Sequence, residues 1–169
     1  MQTFLPYVGN FKMSAQALDN KRLNKQLLEG RQIYSALMGQ TIGWRNHPAT
    51  RMWENHENML MEYLTAIKNE CVRRGIKTDK NWTEIERLHE WNWHRGSGLT
   101  IPAWMRDPTA ANKIETTHRA NLFIKDPIHY ADFEYAVKKY RDMVCCDRCN
   151  YYWYTHRLED FADKELALV

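Results

Sequence analysis

The stretch Asp19–Gln32 constrains the fold most, because its apolar and its polar residues both recur three or four positions apart. The apolar set continues beyond the stretch and comprises Leu23, Leu27, Ile33, Tyr34 and Leu37. The polar set comprises Asp19, Arg22, Gln26 and Glu29. Residues at this spacing share one face of an α-helix, so we predict an amphipathic helix with a buried face and a polar stripe.

The polar stripe has two interpretations. A carboxylate beside cations and an amide, as at Glu29, could serve as a catalytic acid, base or electrostatic stabiliser. The same stripe could be an ordinary solvated helix face on which Lys25 pairs with Glu29.

The rest of the chain predicts further helices and no sheet, because no segment shows the sustained alternation of a strand. The predicted class is therefore all-α, a compact helical bundle preceded by an extended lead-in over residues 1–13. The predicted helices run from an N-cap at Ser14 to about Met38, from Pro48 to Gly75, from Thr83 to about Trp93, from Asp107 to about Ile124, and over 128–144.

Composition indicates an ordinary globular protein. The 169 residues suit one domain, with 27% charged and 44% hydrophobic residues and a net charge of +3 that permits nucleic-acid binding. The chain has no apolar run of the roughly 20 residues that span a bilayer, and its start lacks the layout of a signal peptide. We therefore expect a cytoplasmic protein without membrane association, whose four cysteines are reduced.

Two polar segments could contact nucleic acid. In the loop before Pro48, Trp44 can stack on a base, Arg45 can clamp phosphate and Asn46 can read a base edge, while His47 lies at the start of a helix. In the alternative interpretation, Trp44 is part of the core and His47 caps the helix. Later in the chain, His118 and Asn121 share a helix face while Arg119 points elsewhere; a buried helix-packing histidine is the alternative there.

Cys146 and Cys149 have the C-x-x-C spacing of a zinc site, but a structural site needs four ligands. Reduced, partly buried thiols are the preferred reading, so the sequence predicts no metal. The patterns of P-loop nucleotide hydrolases, dinucleotide-binding enzymes, HExxH metalloproteases and GxSxG hydrolases do not occur.

The chain resembles bacterial and phage proteins of the pyrimidine-dimer DNA glycosylase family, which are similar to phage endonuclease V. The resemblance covers residues 1–130, and residues 131–169 form an extension that we expect to pack on the same domain. It rests on five segments in this order: MQTFLPY, LDNKRLNKQLLEGRQI, GWRNHPATRMW, PAW and THRANLFIKDPIHY.

The resemblance implies a monomeric DNA glycosylase and AP lyase of the endonuclease V type, with no cofactor, acting on double-stranded DNA that holds a damaged or abasic site. It implies that the α-amine of Met1, or of Gln2 if Met1 is removed, attacks C1′ of the damaged nucleotide, and that Glu29 stabilises the cationic intermediate. From the residues themselves, the contacts to DNA that we predict are Arg22, Lys25, Gln26, Arg31, Trp44, Arg45, Asn46, His47, His118, Arg119, Asn121 and Lys125.

Two departures from the endonuclease V pattern limit what carries over. Gln2 is bulky where that pattern has a small residue after the initiator methionine, and Leu28 and Gln32 replace the arginines that flank the essential glutamate. The resemblance therefore predicts the glycosylase chemistry better than the lesion. An enzyme acting on another N-glycosidic or modified-nucleotide bond, and a non-catalytic binder of nucleic acid or nucleotides, are the alternatives.

Overall fold

The computed structural model describes residues 2–93, 100–143 and 151–154. Within these residues there are eight α-helices, one short 3-10 helix at Ala131–Phe133 and no strand, which confirms the predicted all-α class. The α-helices are α1 (Phe11–Ala17), α2 (Asn20–Leu37), α3 (Pro48–Arg51), α4 (Glu57–Arg73), α5 (Asp79–Trp93), α6 (Ala103–Arg106), α7 (Pro108–Lys125) and α8 (Glu134–Met143). In the described part of the chain, no helix has the length and apolar character needed to cross a membrane.

The prediction of one helix from Ser14 to Met38 is wrong, because the chain breaks between α1 and α2. Asp19 is extended and its side chain accepts a hydrogen bond from the backbone N–H of Arg22, as an N-cap does. The Tyr130 hydroxyl donates to Asp19 Oδ2 over 2.6 Å and accepts from the Asp19 backbone N–H over 2.9 Å. Asp19 therefore starts α2, and a tyrosine 111 residues away supports the break.

The predicted helix from Pro48 to Gly75 is also two helices. Pro48 does begin α3, but Asn55 has a φ of 65° and interrupts the path before α4 starts. Gly75, with a φ of 70°, follows the end of α4, as predicted. The start predicted at Thr83 is wrong, since α5 already begins at Asp79.

Helix α2 is central to the fold, because it packs against α3, α4 and α5. Gly30 lies where α2 meets α4, and a Cβ built there would be 2.1 Å from Leu64 Cδ2. A side chain at this position would push the two helices apart. Gly30 thus allows the close contact that brings the neighbouring Glu29 next to the residues of α4.

Candidate active site

The segment from Thr3 to Val8 runs across the helices, and helical side chains bind its backbone in place of strand partners. Gln26 Oε1 of α2 accepts from the Phe4 N–H over 2.8 Å. From α7, His118 Nδ1 accepts from the Leu5 N–H over 2.8 Å, and Glu115 Oε1 accepts from the Val8 N–H over 2.7 Å. These bonds satisfy buried backbone donors and fix the path of the segment.

Two more side chains hold the same segment. Arg119 donates from Nε to the Pro6 carbonyl over 2.6 Å, and its guanidinium lies 4.6 Å from the centre of the Tyr7 ring. The indole N–H of Trp53 donates to Thr3 Oγ1 over 3.0 Å. The segment from Thr3 to Val8 is therefore pinned against the bundle.

A pocket of about 350 Å³ opens between this segment and α2. Its walls are formed by Gln2, Phe4, Lys21, Arg22, Lys25, Glu29, Lys125 and Tyr151. Among these lining residues four are cationic and Glu29 alone is acidic. The pocket therefore combines a positively charged wall, suited to phosphate, with a single carboxylate.

Glu29 lies at the base of the polar stripe and is only 8% exposed. Its Oε1 is 3.4 Å from Lys25 Nζ, and its Oε2 accepts a hydrogen bond from Gln26 Nε2 over 3.3 Å. The predicted ion pair with Lys25 is thus present, but the carboxylate is buried and lines a pocket. This arrangement favours the site over an ordinary solvated face, and it can stabilise a cation that forms in the pocket.

Gln26 was predicted to contact DNA, but it is 1% exposed. Its Oε1 accepts from the Tyr63 hydroxyl over 2.7 Å in addition to the Phe4 N–H. Burial raises the pKa of Tyr63 well above its ordinary value, so this hydroxyl stays protonated and can donate. In this structure Gln26 therefore joins Glu29 to the N-terminal segment and offers DNA no surface.

Arg22 lines the pocket, and its guanidinium is paired with Asp19. Burial opposes ionisation of Asp19, but hydrogen bonds from Tyr130 and Arg22 outweigh it and lower the pKa of Asp19 to about 2. The guanidinium also lies 5.5 Å from the centre of the Tyr130 ring. Arg22 is consequently held in one position beside the pocket, whereas Lys25 is 63% exposed and free to reorient.

His118 and Asn121 make contacts within the protein in place of the predicted contacts to DNA. His118 is fully buried, which lowers its pKa to about 3, and it accepts the Leu5 N–H. Asn121 is 6% exposed and donates to the Thr117 carbonyl over 2.8 Å. Both side chains therefore offer DNA no contact in this conformation; the alternative of a buried packing histidine describes His118 correctly.

The loop before α3 contains the other predicted contacts to DNA. Trp44 is 42% exposed, and Arg45 and Asn46 are exposed. His47 caps α3 by accepting the Ala49 N–H at Nδ1 over 3.1 Å, and burial lowers its pKa. Both readings of this loop thus hold in part: His47 is a cap, and Trp44 to Asn46 remain accessible to a ligand.

Aromatic contacts connect this loop to the pocket. The Trp44 ring centre is 5.6 Å from that of His47, which is 6.3 Å from that of Trp153. Trp153 is 5.7 Å from Tyr151, a lining residue. Sequence reasoning missed Tyr151 and Lys21 as pocket residues, although the aromatic run YYWY at 151–154 is a visible signal.

The remaining predicted residues differ in position, and some lie outside the described part of the chain. Lys125 lines the pocket, and Arg31 is half-buried on α2 without lining it. Met1, Cys146 and Cys149 lie outside the described residues. Across residues 2–93, 100–143 and 151–154, no group of three or more His, Cys, Asp or Glu side chains is placed to bind a metal.

Comparison with known families identifies the chain through its N-terminal half. The model of the family described as pyrimidine dimer DNA glycosylase matches residues 1–84, which include the pinned segment, Glu29 and α4. No curated protein and no solved structure matches the chain. The match confirms the resemblance seen in the sequence: residues 1–84 of the chain match the pyrimidine dimer DNA glycosylase family.

Proposed function

We propose that this protein is a cytoplasmic, monomeric DNA glycosylase with AP-lyase activity that uses its N-terminal amine as the nucleophile and needs no cofactor. The observation that supports it is the shared pocket. Gln2, next to the start of the chain, lines the same cavity as the buried carboxylate of Glu29 and four cationic side chains. A nucleophile, an anion that stabilises positive charge and groups that bind phosphate would thereby meet at one place.

The proposed reaction begins with the neutral α-amine of Met1, or of Gln2 after removal of Met1. An α-amine has an ordinary pKa of about 8, so a useful fraction is unprotonated near neutral pH. Its nitrogen forms a bond to C1′ of the damaged nucleotide as the N-glycosidic bond breaks, and the base leaves with a proton. The sugar ring opens to an imine. Loss of a C2′ proton then expels the 3′ phosphate, and water hydrolyses the imine to release the enzyme.

Glu29 is proposed to stabilise the positive charge that develops on the sugar and then on the protonated imine. Its carboxylate lies in the pocket wall and is shielded from bulk water, so its electrostatic effect is larger than it would be at the surface. It is also the nearest described carboxylate that could accept the C2′ proton.

Double-stranded DNA with a damaged or abasic site is the proposed substrate. A pocket of about 350 Å³ has room for one nucleotide and not for a duplex, so the target has to leave the stack. Lys21, Lys25 and Lys125 line the pocket, and we propose that they bind the backbone phosphates on either side of the target nucleotide. Trp44, Arg45 and Asn46 are proposed to contact the duplex outside the pocket, and Arg31 to add long-range attraction.

Borohydride trapping on ultraviolet-irradiated and abasic duplexes tests this proposal. Borohydride reduces an imine to a stable amine, so only an imine-forming enzyme becomes covalently attached to DNA. Trapping on either duplex supports the proposal. Binding without trapping would indicate the non-catalytic alternative, and turnover of free nucleotides without trapping would indicate an enzyme of another N-glycosidic bond.

A further inference from the structure

The Gln26 side chain has a fixed orientation, in which it contacts both the N-terminal segment and Glu29. Its Oε1 receives two donors, the Phe4 N–H over 2.8 Å and the Tyr63 hydroxyl over 2.7 Å. The Phe4 N–H could not pair with the NH₂ end of the amide, so flipping the side chain would leave a buried backbone donor unsatisfied. The Tyr63 hydroxyl also lies 3.1 Å from the Phe4 carbonyl, so it is the backbone N–H that fixes the orientation of the amide. The Nε2 end is therefore directed at Glu29 Oε2, 3.3 Å away.

The second contact of Glu29 is of a different kind. Lys25, 3.4 Å from Oε1, has a side chain that is 63% exposed. Exposed ion pairs are weak and readily exchanged, so this lysine can leave Glu29 for a phosphate when DNA arrives. The buried amide of Gln26 cannot leave in this way. Of the two contacts, only the one to Gln26 can keep the carboxylate oriented throughout the reaction.

We propose that Gln26 is a positioning residue, which orients the Glu29 carboxylate and ties it to the segment that carries the N-terminal amine. This inference rests on the proposed function. Because the Gln26 side chain binds both the Phe4 backbone and the Glu29 carboxylate, it fixes their relative positions. The amine and the carboxylate can then reach the same sugar atom together. Correct placement of this kind accounts for a large part of enzymatic rate enhancement.

Gln26→Glu isolates the contact to Glu29. A carboxylate in place of the amide still accepts from Phe4 N–H and from Tyr63, but it presents an acceptor to Glu29 where the native amide presents a donor. We expect the single-turnover rate of borohydride trapping on an abasic duplex to fall at least tenfold. Affinity for the duplex should stay within about threefold, since phosphate contacts dominate binding.

Tyr63→Phe is the matched control, because it removes one donor to Oε1 and leaves the contact between Gln26 and Glu29 in place. We expect its trapping rate to stay within about threefold of the native rate. Equal losses in both variants would mean that Gln26 merely fastens the segment, and would overturn the inference. If melting curves show that Gln26→Glu does not fold, Gln26→Met replaces it with the same expected loss, and a native rate there would also overturn the inference.

The pH dependence gives a readout that a purely structural role would not produce. The substituted carboxyl would lie beside Glu29 and the Tyr63 hydroxyl of α4. Lys25 is on the other oxygen of Glu29, and the cations Lys21, Arg22 and Lys125 line the pocket that Glu29 borders. As the pH falls, the two adjacent carboxyl groups share a proton, and the substituted group regains a donor toward Glu29. The rate deficit of Gln26→Glu relative to the native protein should therefore shrink at lower pH, and a deficit independent of pH would contradict the inference.

The native protein and Glu29→Gln, measured in the same assay, separate the two proposals. If the native protein forms no trapped complex, the proposed function fails and this inference fails with it. If trapping occurs and depends on Glu29 while Gln26→Glu reacts at the native rate, only the positioning role of Gln26 is wrong. A slow Gln26→Glu beside a fast Tyr63→Phe supports both proposals.

Discussion

Glu29 shows how a single residue acquires a chemical role from its surroundings. On an exposed helix, a glutamate four residues after a lysine forms a weak surface pair. Here Glu29 is only 8% exposed, and its carboxylate lies beside an amide and at the wall of a cationic pocket. A charge in such a place affects reacting groups far more than one in bulk water.

Glu29→Gln should keep the fold and the affinity for DNA but reduce strand cleavage about a hundredfold, the typical effect of losing a placed catalytic group. The substitution removes the charge while nearly preserving the shape of the side chain. Glu62→Gln on α4, at an exposed position away from the pocket, should cleave normally. Unchanged cleavage by Glu29→Gln would remove Glu29 from the chemistry.

Local spacing predicted the cluster on α2 but not the roles of residues on α7. Lys25, Gln26 and Glu29 are close in sequence, so helical geometry alone brings them together. His118 and Arg119 interact with backbone groups 113 residues away, at Leu5 and Pro6, which no local pattern reveals. They were accordingly predicted to contact DNA, whereas the structure has them holding the N-terminal segment.

Among the helices, α2 and α4 approach each other closely at Gly30. Gly30→Ala would gain up to about 1 kcal/mol of helix propensity, but the new methyl group would overlap the fully buried Leu64. Overpacking of this kind costs about 1–3 kcal/mol. We expect a net loss of stability and a melting temperature lower by roughly 2–4 °C.

Gly43→Ala is the matched control for that substitution, because nothing lies within 4 Å of a Cβ at Gly43. Combining Gly30→Ala with Leu64→Ala should be less destabilising than the sum of the two single changes, since the overlap disappears. A higher melting temperature for Gly30→Ala alone would show that α2 and α4 have spare room.

A buried carboxylate fastens α4 to the break between α1 and α2. Glu70 accepts from Arg73 Nε over 2.7 Å and from Arg74 Nε over 2.6 Å. Arg74 in turn donates to the carbonyls of Leu18 over 2.6 Å and Gln16 over 2.8 Å. The hydrogen bond from Arg73, supported by Arg74, lowers the pKa of Glu70 from its ordinary 4.5 to about 2.

This shift predicts a pH-dependent contribution to stability. Because the pKa of Glu70 is lower in the folded chain than in the unfolded chain, its ionised form stabilises the fold above about pH 4.5, and this contribution is lost as the pH falls to about 2. Glu70→Gln should be less stable than the native protein at pH 6, by on the order of 2 kcal/mol. In urea unfolding curves the difference should vanish near pH 2; a difference that persists there would contradict the assignment.

Helix boundaries were predictable where a local signal decides them. Pro48 begins α3, Asp107 caps the start of α7, and Gly75 follows α4. Each of these residues acts on the adjacent backbone by itself, so the local sequence is enough to predict the boundary. The start of α2 was missed because Asp19 is supported there by Tyr130, a partner distant in sequence. Asn55, which separates α3 from α4, gives no comparable signal.

At the scale of the whole molecule, the N-terminal segment and the stretch 151–154 meet at the pocket, which Gln2, Phe4 and Tyr151 line. Tyr151 packs edge-on against Phe4 and His118, with ring centres 6.1 and 5.4 Å apart, and the Tyr152 N–H donates to Thr117 Oγ1 over 3.1 Å. The family match ends at residue 84, so this wall of the pocket lies beyond it. The division into residues 1–130 and 131–169 stays a prediction.

Tyr151→Ala should slow trapping roughly tenfold, because it removes a wall of the pocket and loosens the segment that carries the amine. Tyr151→Phe keeps the ring contacts and should react normally. Tyr154→Ala, in the same short stretch but not lining the pocket, serves as the control. Equal rates for Tyr151→Ala and the native protein would show that residues 151–154 do not contribute to the site.

The most direct test of the proposed mechanism is borohydride trapping of the protein with a few residues added before Met1. The proposed mechanism needs the terminal amine beside Glu29, and an added extension would move the amine away. We therefore predict that trapping on abasic duplex is abolished while affinity stays within a few-fold, since phosphate contacts dominate binding. The same residues added after Val169 should leave trapping intact. If the N-terminally extended protein is trapped and cuts abasic DNA at the full rate, the N-terminal amine is not the nucleophile.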